Sequence, residues 1–224
     1  MRLLSICIFL VSLIIRQILK AKFARYSETI LKANLTGADV AAKMLYAYNI
    51  HDIQISTTAG QLTDHYNPVN KTVNLSEAVF HGKNAAAAAV AAHECGHAVQ
   101  HAKGYAFLQM RSMMVPVLSF TTQYIPWLIL LGVLMVQQTL IPLKLGIGLF
   151  SLTTLFTVIT LPVEFNASNI ALNWLKKQDI LTSQEYSMAK NALWWAAMTY
   201  VLAALGAIAE LLYLVSKLTN KSSR

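Results

Sequence analysis

The chain has 224 residues, of which 56% are hydrophobic and only 12% charged, a composition too apolar for an ordinary soluble domain. Its formal net charge of +8 sits at the flanks of apolar runs, not on an aromatic-studded basic face. That distribution fits contact with anionic lipid and excludes nucleic acid as the expected partner.

The first apolar run, Leu3 to Leu19, is interrupted only by Arg16 and Gln17. No small-x-small cleavage site follows it. Arg16, Lys20, Lys22 and Arg25 instead form a basic flank of the kind that stays cytoplasmic. Residues 1–23 therefore read as an uncleaved membrane anchor with its N-terminus outside.

Residues 24–112 differ in character and hold all six histidines. A segment this small buries only a modest core by itself, so it is expected to lean on the membrane helices. Val40, Met44, Leu45 and Tyr48 have helical spacing after Thr36. Ile53 and Ile55 alternate as in a short strand, and so do Val73 and Leu75, which predicts a strand pair. Between them, the stretch from Thr63 to Asn70 has the turn chemistry of Asn67-Pro68. Its polar cluster Asp64-His65-Tyr66 reads either as a hairpin loop facing water or as a source of oxyanion donors. His65 is also a rival metal ligand.

The alanines from Ala85 to Ala92 predict a helix, with Asn84 as its N-cap. That helix carries His93-Glu94-Cys95-Gly96-His97, an H-E-x-x-H motif. Four residues apart, the two imidazoles share one face at about 6 Å and can share a Zn²⁺ at roughly 2.0–2.1 Å each. Glu94 beside them is placed to take a proton from metal-activated water. The flanks are uncharged, so the helix looks built for burial. Burying two histidines and a glutamate without partners is costly, and a metal removes that difficulty. His101 lies roughly 12 Å along the helix from His93, too far for both to reach one ion. It reads as a residue beside the site or on the surface, and the third ligand must come from elsewhere. Cys95, two positions from either histidine, faces away from the metal and reads as packing. A disulfide between Cys95 and Cys7 is not expected in a reducing setting.

Past Arg111 the chain is apolar again. Val115–Val136, with Pro116 and Pro126 suggesting a kinked or late start, Leu145–Val163 and Leu193–Val215 read as three further spans, four in all. Gly146-x-Gly148 lies inside an apolar run without a preceding strand and is no phosphate loop. The organisation is thus an anchor over 1–23, a metal-helix domain over 24–112, and membrane helices over 113–216. Within the last, a cytoplasmic segment over 164–190 carries the third metal ligand, and a basic tail over 217–224 follows. With the N-terminus outside, Glu164 ends the third span on the same side as His93 and His97. A carboxylate at that depth is expensive unless paired or coordinating, and two histidines plus this carboxylate leave one position open, as catalytic zinc requires. Lys176, Lys177 and Lys190 obey the positive-inside rule, whereas Lys217, Lys221 and Arg224 in the tail do not.

Three stretches carry a family resemblance: Leu62 to Pro68, Ala91 to His101, and Thr160 to Ser168. Together they resemble the YugP-type neutral zinc metallopeptidases of bacterial membranes, over nearly the whole chain. A more distant likeness links them to HtpX-like and CAAX-prenyl proteases, which pair a helical H-E-x-x-H with a later glutamate in an E-x-x-x-D context. Glu164 matches that glutamate. Ser168 stands in place of the aspartate, which leaves Asn166 or Ser168 to support the site by other hydrogen bonds. Asn169-Ile170 stands where close relatives are expected to have basic residues.

The expected fold is a mainly α membrane protein. About four transmembrane helices accompany a small zincin-like α+β catalytic domain with a short strand pair and the H-E-x-x-H helix. The expected activity is that of a membrane-embedded zinc endopeptidase in a bacterial cytoplasmic membrane, with its active site on the cytoplasmic side. His93, His97 and Glu164 hold Zn²⁺, Glu94 is the general base, and the substrate is a membrane-associated protein or peptide. Two alternatives stand beside it. A zinc-stabilised membrane scaffold would unfold on chelation and tolerate loss of Glu94. A metal-ion transporter would need more polar residues at mid-span than Gln123, Thr153, Thr154, Thr157, Thr199 and Glu210.

Overall fold

The computed structural model describes residues 2–222, so Ser223 and Arg224 of the basic tail lie outside the described residues. It is mainly helical, with one small sheet. In chain order the elements are α1 (Arg2–Ser27), α2 (Gly37–Ala47), β1 (Gln54–Thr58), β2 (His65–Asn67), β3 (Thr72–Ser76), α3 (Glu77–Phe80) and α4 (Ala85–Ala102). They continue with α5 (Ala106–Thr121), α6 (Ile125–Leu134), α7 (Ile141–Lys177) and α8 (Ser183–Ser222). The chain divides into two compact units. One comprises Met1–Ile14, Gln109–Leu161 and Thr199–Arg224, the other Ile15–Leu108 and Pro162–Met198.

The second unit contains the sheet and the motif helix. Helix α2 starts with a capping box in which Thr36 Oγ1 accepts from the Asp39 N–H and the Asp39 carboxylate accepts from the Thr36 N–H. Asn84 caps α4 as expected, its side-chain oxygen accepting from the Ala87 N–H at 2.9 Å. The alanines of α4 are almost all fully buried, and their small side chains let α2 and the sheet pack close. Val40, Met44, Val73, Leu75, Val99 and Leu175 complete this core. The last turns of α1 are fixed to the same unit by a hydrogen bond from Tyr26 Oη to Asn191 Oδ1, 2.8 Å.

The expected strand pair forms, but the sheet has three strands in the order β1-β3-β2. β1 and β3 are parallel, with Ile55 opposite Val73 and Thr57 opposite Leu75. β2 lies antiparallel on the other side of β3, with Tyr66 opposite Val73. Part of the stretch expected to be a turn is therefore the strand His65–Asn67. It is polar and only three residues long, and its pairing with β3 fixes it where local propensity is silent.

In the first unit, α5 and α6 break at Thr122-Gln123-Tyr124 and bend by 52°. Pro126, near the start of α6, has no N–H to offer and disfavours helical geometry at the preceding residue. Gly132 and Gly146 mark a close helix approach. A Cβ on Gly132 would lie 2.5 Å from the Leu143 backbone, and one on Gly146 3.0 Å from the Ile129 side chain.

The count of four spans is not reached. Among the described residues two helices, Ile141–Lys177 and Ser183–Thr219, are long and apolar enough to cross a membrane. A third is added if the bent pair α5 and α6 forms one broken span. The expected first span, Leu3 to Leu19, is not among them: its run is short for a bilayer and carries Arg16 and Gln17 near its end. The run Leu145–Val163 lies in α7, which continues as helix through Pro162 to Lys177.

Candidate metal centre

The site lies within the second unit, where α4 packs against the later part of α7. Contact between the two backbones is made possible by Gly96. A Cβ at this position would meet the Ala167 carbonyl oxygen at 2.6 Å, and the Ala167 carbonyl carbon and Cα at 3.1 and 3.2 Å. Gly96 sits inside the H-E-x-x-H motif, and Ala167 is three residues after Glu164. Glycine here therefore lets α7 bring its glutamate onto the histidine pair.

His93 and His97 stand edge to face with ring centroids 4.8 Å apart. Glu164 Oε2 lies 3.2 Å from His93 Nε2 and 3.6 Å from His97 Nε2. One ligand atom from each of the three residues falls within 4.8 Å of the others. His97 and Glu164 are buried and His93 nearly so.

The remaining imidazole nitrogens are also engaged. His93 Nδ1 lies 3.1 Å from Ser168 Oγ, and His97 Nδ1 lies 3.0 Å from Gln100 Oε1. The Gln100 amide nitrogen in turn donates to the Val163 carbonyl at 2.8 Å and to Asn166 Oδ1 at 2.9 Å. Both histidines are thus held from behind with Nε2 turned toward the carboxylate, the arrangement that outer hydrogen bonds impose on metal-binding histidines.

Burial opposes a positive charge on His97, yet the adjacent Glu164 carboxylate outweighs it and raises the imidazole pKa above its ordinary value. A buried cluster that favours positive charge, made of two borderline-soft nitrogens and one hard oxygen, is chemistry that suits zinc.

Glu94 is buried beside this cluster, and its Oε2 accepts a hydrogen bond from the Tyr66 backbone N–H at 3.0 Å. β2 thereby meets α4 at the glutamate of the motif. The Tyr66 side chain turns the other way, its hydroxyl 2.7 Å from His101 Nδ1. His65 lies outside the cluster on an exposed face, with Nδ1 2.8 Å from the Thr63 carbonyl oxygen and Nε2 3.2 Å from Asn74 Nδ2. The Asp64 carboxylate accepts from the Ser76 N–H at 2.7 Å. The Cys95 thiol faces α2, 3.7 Å from the Ala41 carbonyl, and burial pushes its pKa far up.

A protein-family model described as "Putative neutral zinc metallopeptidase" matches residues 1–219 of this chain. The chain belongs to this family. Among curated relatives of the neutral zinc metallopeptidases, it is 39% identical over 201 residues to the "Putative membrane protease YugP" of Bacillus subtilis (strain 168). The match covers 90% of this chain and 88% of that protein. No solved structure matches the chain significantly.

Three site features had no role in the sequence reading. Gln100 carried a signal, since a glutamine three residues after His97 on a helix built for burial needs partners. Gly96 could be read only as a small residue until α7 was seen against it. The Tyr66 N–H is a backbone group, and no side-chain pattern announces it.

Proposed function

We infer that this metallopeptidase is a membrane zinc endopeptidase in which His93, His97 and Glu164 hold the metal and Glu94 is the general base. The observation that carries this reading is the convergence of the two Nε2 atoms and Glu164 Oε2 beside a buried Glu94. The donor set supports a catalytic role over a structural one. Structural zinc sites use four protein ligands, and the described residues supply three here. Zinc bound by these residues would supply Lewis-acid chemistry, polarising a scissile carbonyl and acidifying water.

The protein's own groups do the rest. Tyr66 holds Glu94 through Oε2, which leaves Oε1 to take the proton of the attacking water and deliver it to the departing amine nitrogen. Ser168 and Gln100 keep the two rings oriented while this happens. His65 and Tyr66 have no part as oxyanion donors in this account, because their side chains are turned to Thr63, Asn74 and His101.

Residues 24–112 with the segment 164–190 form the catalytic part of the proposed enzyme, on the cytoplasmic side of a bacterial membrane. The apolar helices cross the bilayer. Support for the membrane comes from Phe120, Trp127, Leu134, Leu145 and Leu212, all large, apolar and exposed. Lys176, Lys177 and Lys190 then obey the positive-inside rule.

The testing experiment is Glu94→Gln in the full-length protein purified in detergent. Zinc content and melting temperature are expected to stay at wild-type values while cleavage of an unfolded protein such as casein disappears. Wild-type cleavage by this variant would refute the mechanism.

A further inference from the structure

A cavity of about 340 Å³ opens in the same unit as the metal centre. Phe23 on α1, Leu62 in the loop before β2, Ala78 and Val79 on α3, and Ala86 and Ala87 on α4 give it apolar walls. Most of its polar lining groups are already committed. Asp64 is bonded to Ser76, Asn84 caps α4, and the Ser27 hydroxyl donates to the Phe23 carbonyl. Lys20 and Gln61 stand exposed.

Two observations tie this cavity to the proposed reaction. Ala86 and Ala87 precede His93 and Glu94 by seven residues. They therefore share a face of α4 with them, two turns or about 10 Å nearer its N-terminus. The loop carrying Leu62 and Asp64 runs directly into β2, whose Tyr66 N–H binds Glu94. One short segment thus walls the cavity and fixes the base. Leu62 also holds a left-handed backbone, φ 58°, that a branched residue rarely adopts, and its half-exposed side chain lines the cavity.

We propose that this cavity is a specificity subsite for one large apolar side chain, of leucine, methionine or phenylalanine size, on an extended peptide substrate. An extended chain advances about 3.3 Å per residue, so the subsite reads a residue about three positions from the cleaved bond. The volume lies near the lower end of ligand pockets, about 300–1,000 Å³. That is room for one side chain with its adjoining backbone, not for a long acyl chain. This subsite rests on the endopeptidase reading above.

The test compares full-length, zinc-loaded wild type with Ala78→Phe and Leu62→Ala, using a digested bacterial proteome as the peptide library and mass spectrometry as readout. The Glu94→Gln protein serves as the background control. Both substituted positions are exposed, so the variants should fold. Wild type is expected to enrich large apolar residues at one position about three from the bond. Ala78→Phe fills the cavity and should lower relative kcat/KM for those residues at that position by at least about tenfold. Leu62→Ala should move the preference there toward bulkier residues.

Cleavage whose preference neither variant moves, or that falls uniformly at all positions, would overturn the subsite alone. No cleavage by wild type would overturn the endopeptidase reading, and the subsite with it. A co-purified lipid that only Ala78→Phe releases would assign the cavity to lipid and overturn the proposal.

Discussion

Replacing Gly96 by alanine tests how the site is assembled, because in an unobstructed helix the change would stabilise the protein by roughly 0.5–1 kcal/mol. Here the added Cβ meets the Ala167 oxygen at 2.6 Å, and every close neighbour is backbone. Ordinary contact begins at 3.4 Å, so α7 must withdraw by about 0.8 Å. Overpacking of this kind costs about 1–3 kcal/mol. Glu164 moves with Ala167, being one turn away on the same helix. Zinc–oxygen bonds span only roughly 2.0–2.2 Å, so a displacement of that size detaches or strains the ligand. Zinc affinity should fall by at least about 10–100-fold, the loss that follows from disturbing a ligand's supporting contacts. Competition with a chromogenic chelator measures the affinity, and scanning fluorimetry the melting temperature. Gly148→Ala, where an added Cβ meets nothing within 4 Å, is the control: it should leave zinc affinity unchanged and raise the melting temperature slightly, as an unobstructed helix site does. Wild-type zinc affinity and melting temperature in Gly96→Ala would refute the close-approach argument.

Three further outcomes are expected. Gln100→Leu removes the group behind His97 and leaves Asn166 without its donor, so zinc should bind about 10–100-fold more weakly in chelator competition. Cys95 should resist maleimide in the folded protein and react only after denaturation, since burial both encloses the thiol and raises its pKa; rapid native labelling, read by mass spectrometry, would contradict this. Thr36→Ala should cost about 0.5–2 kcal/mol by loss of the α2 cap. Hydrogen bonds from Thr36 lower the Asp39 pKa, so that part of the stabilisation is present above the ordinary aspartate range and is lost as pH falls through the lowered value. Urea melts of the variant and wild type should therefore draw closer in acid, leaving the difference due to the Thr36 Oγ1 cap on the Asp39 N–H.

What could be read in advance follows from how local each feature is. Helix α4 is set by neighbouring residues: an alanine run supplies propensity and Asn84 supplies the cap. The motif spacing likewise places His93 and His97 together on any helix. Glu164 was reachable through the resemblance and through the cost of a carboxylate at the end of an apolar run. The strand β2 was not reachable, because a three-residue polar segment before Pro68 acquires strand geometry only by pairing with β3. Gly96 and the Tyr66 N–H escaped for the same reason, their roles being defined by partners 71 and 28 residues away in the chain. The span count erred where charges and breaks mattered most. Arg16 and Gln17 interrupt an already short first run, and Thr122-Gln123-Tyr124 divides the second.

Zinc stoichiometry in detergent-purified wild type, Glu164→Ala and His65→Ala tests the central claim most directly. The account predicts about one zinc per chain in wild type and in His65→Ala, with Glu164→Ala losing the metal or releasing it far more readily to a chelator. A Glu164→Ala protein that holds zinc as tightly as wild type, or a folded wild type that binds none, would contradict it.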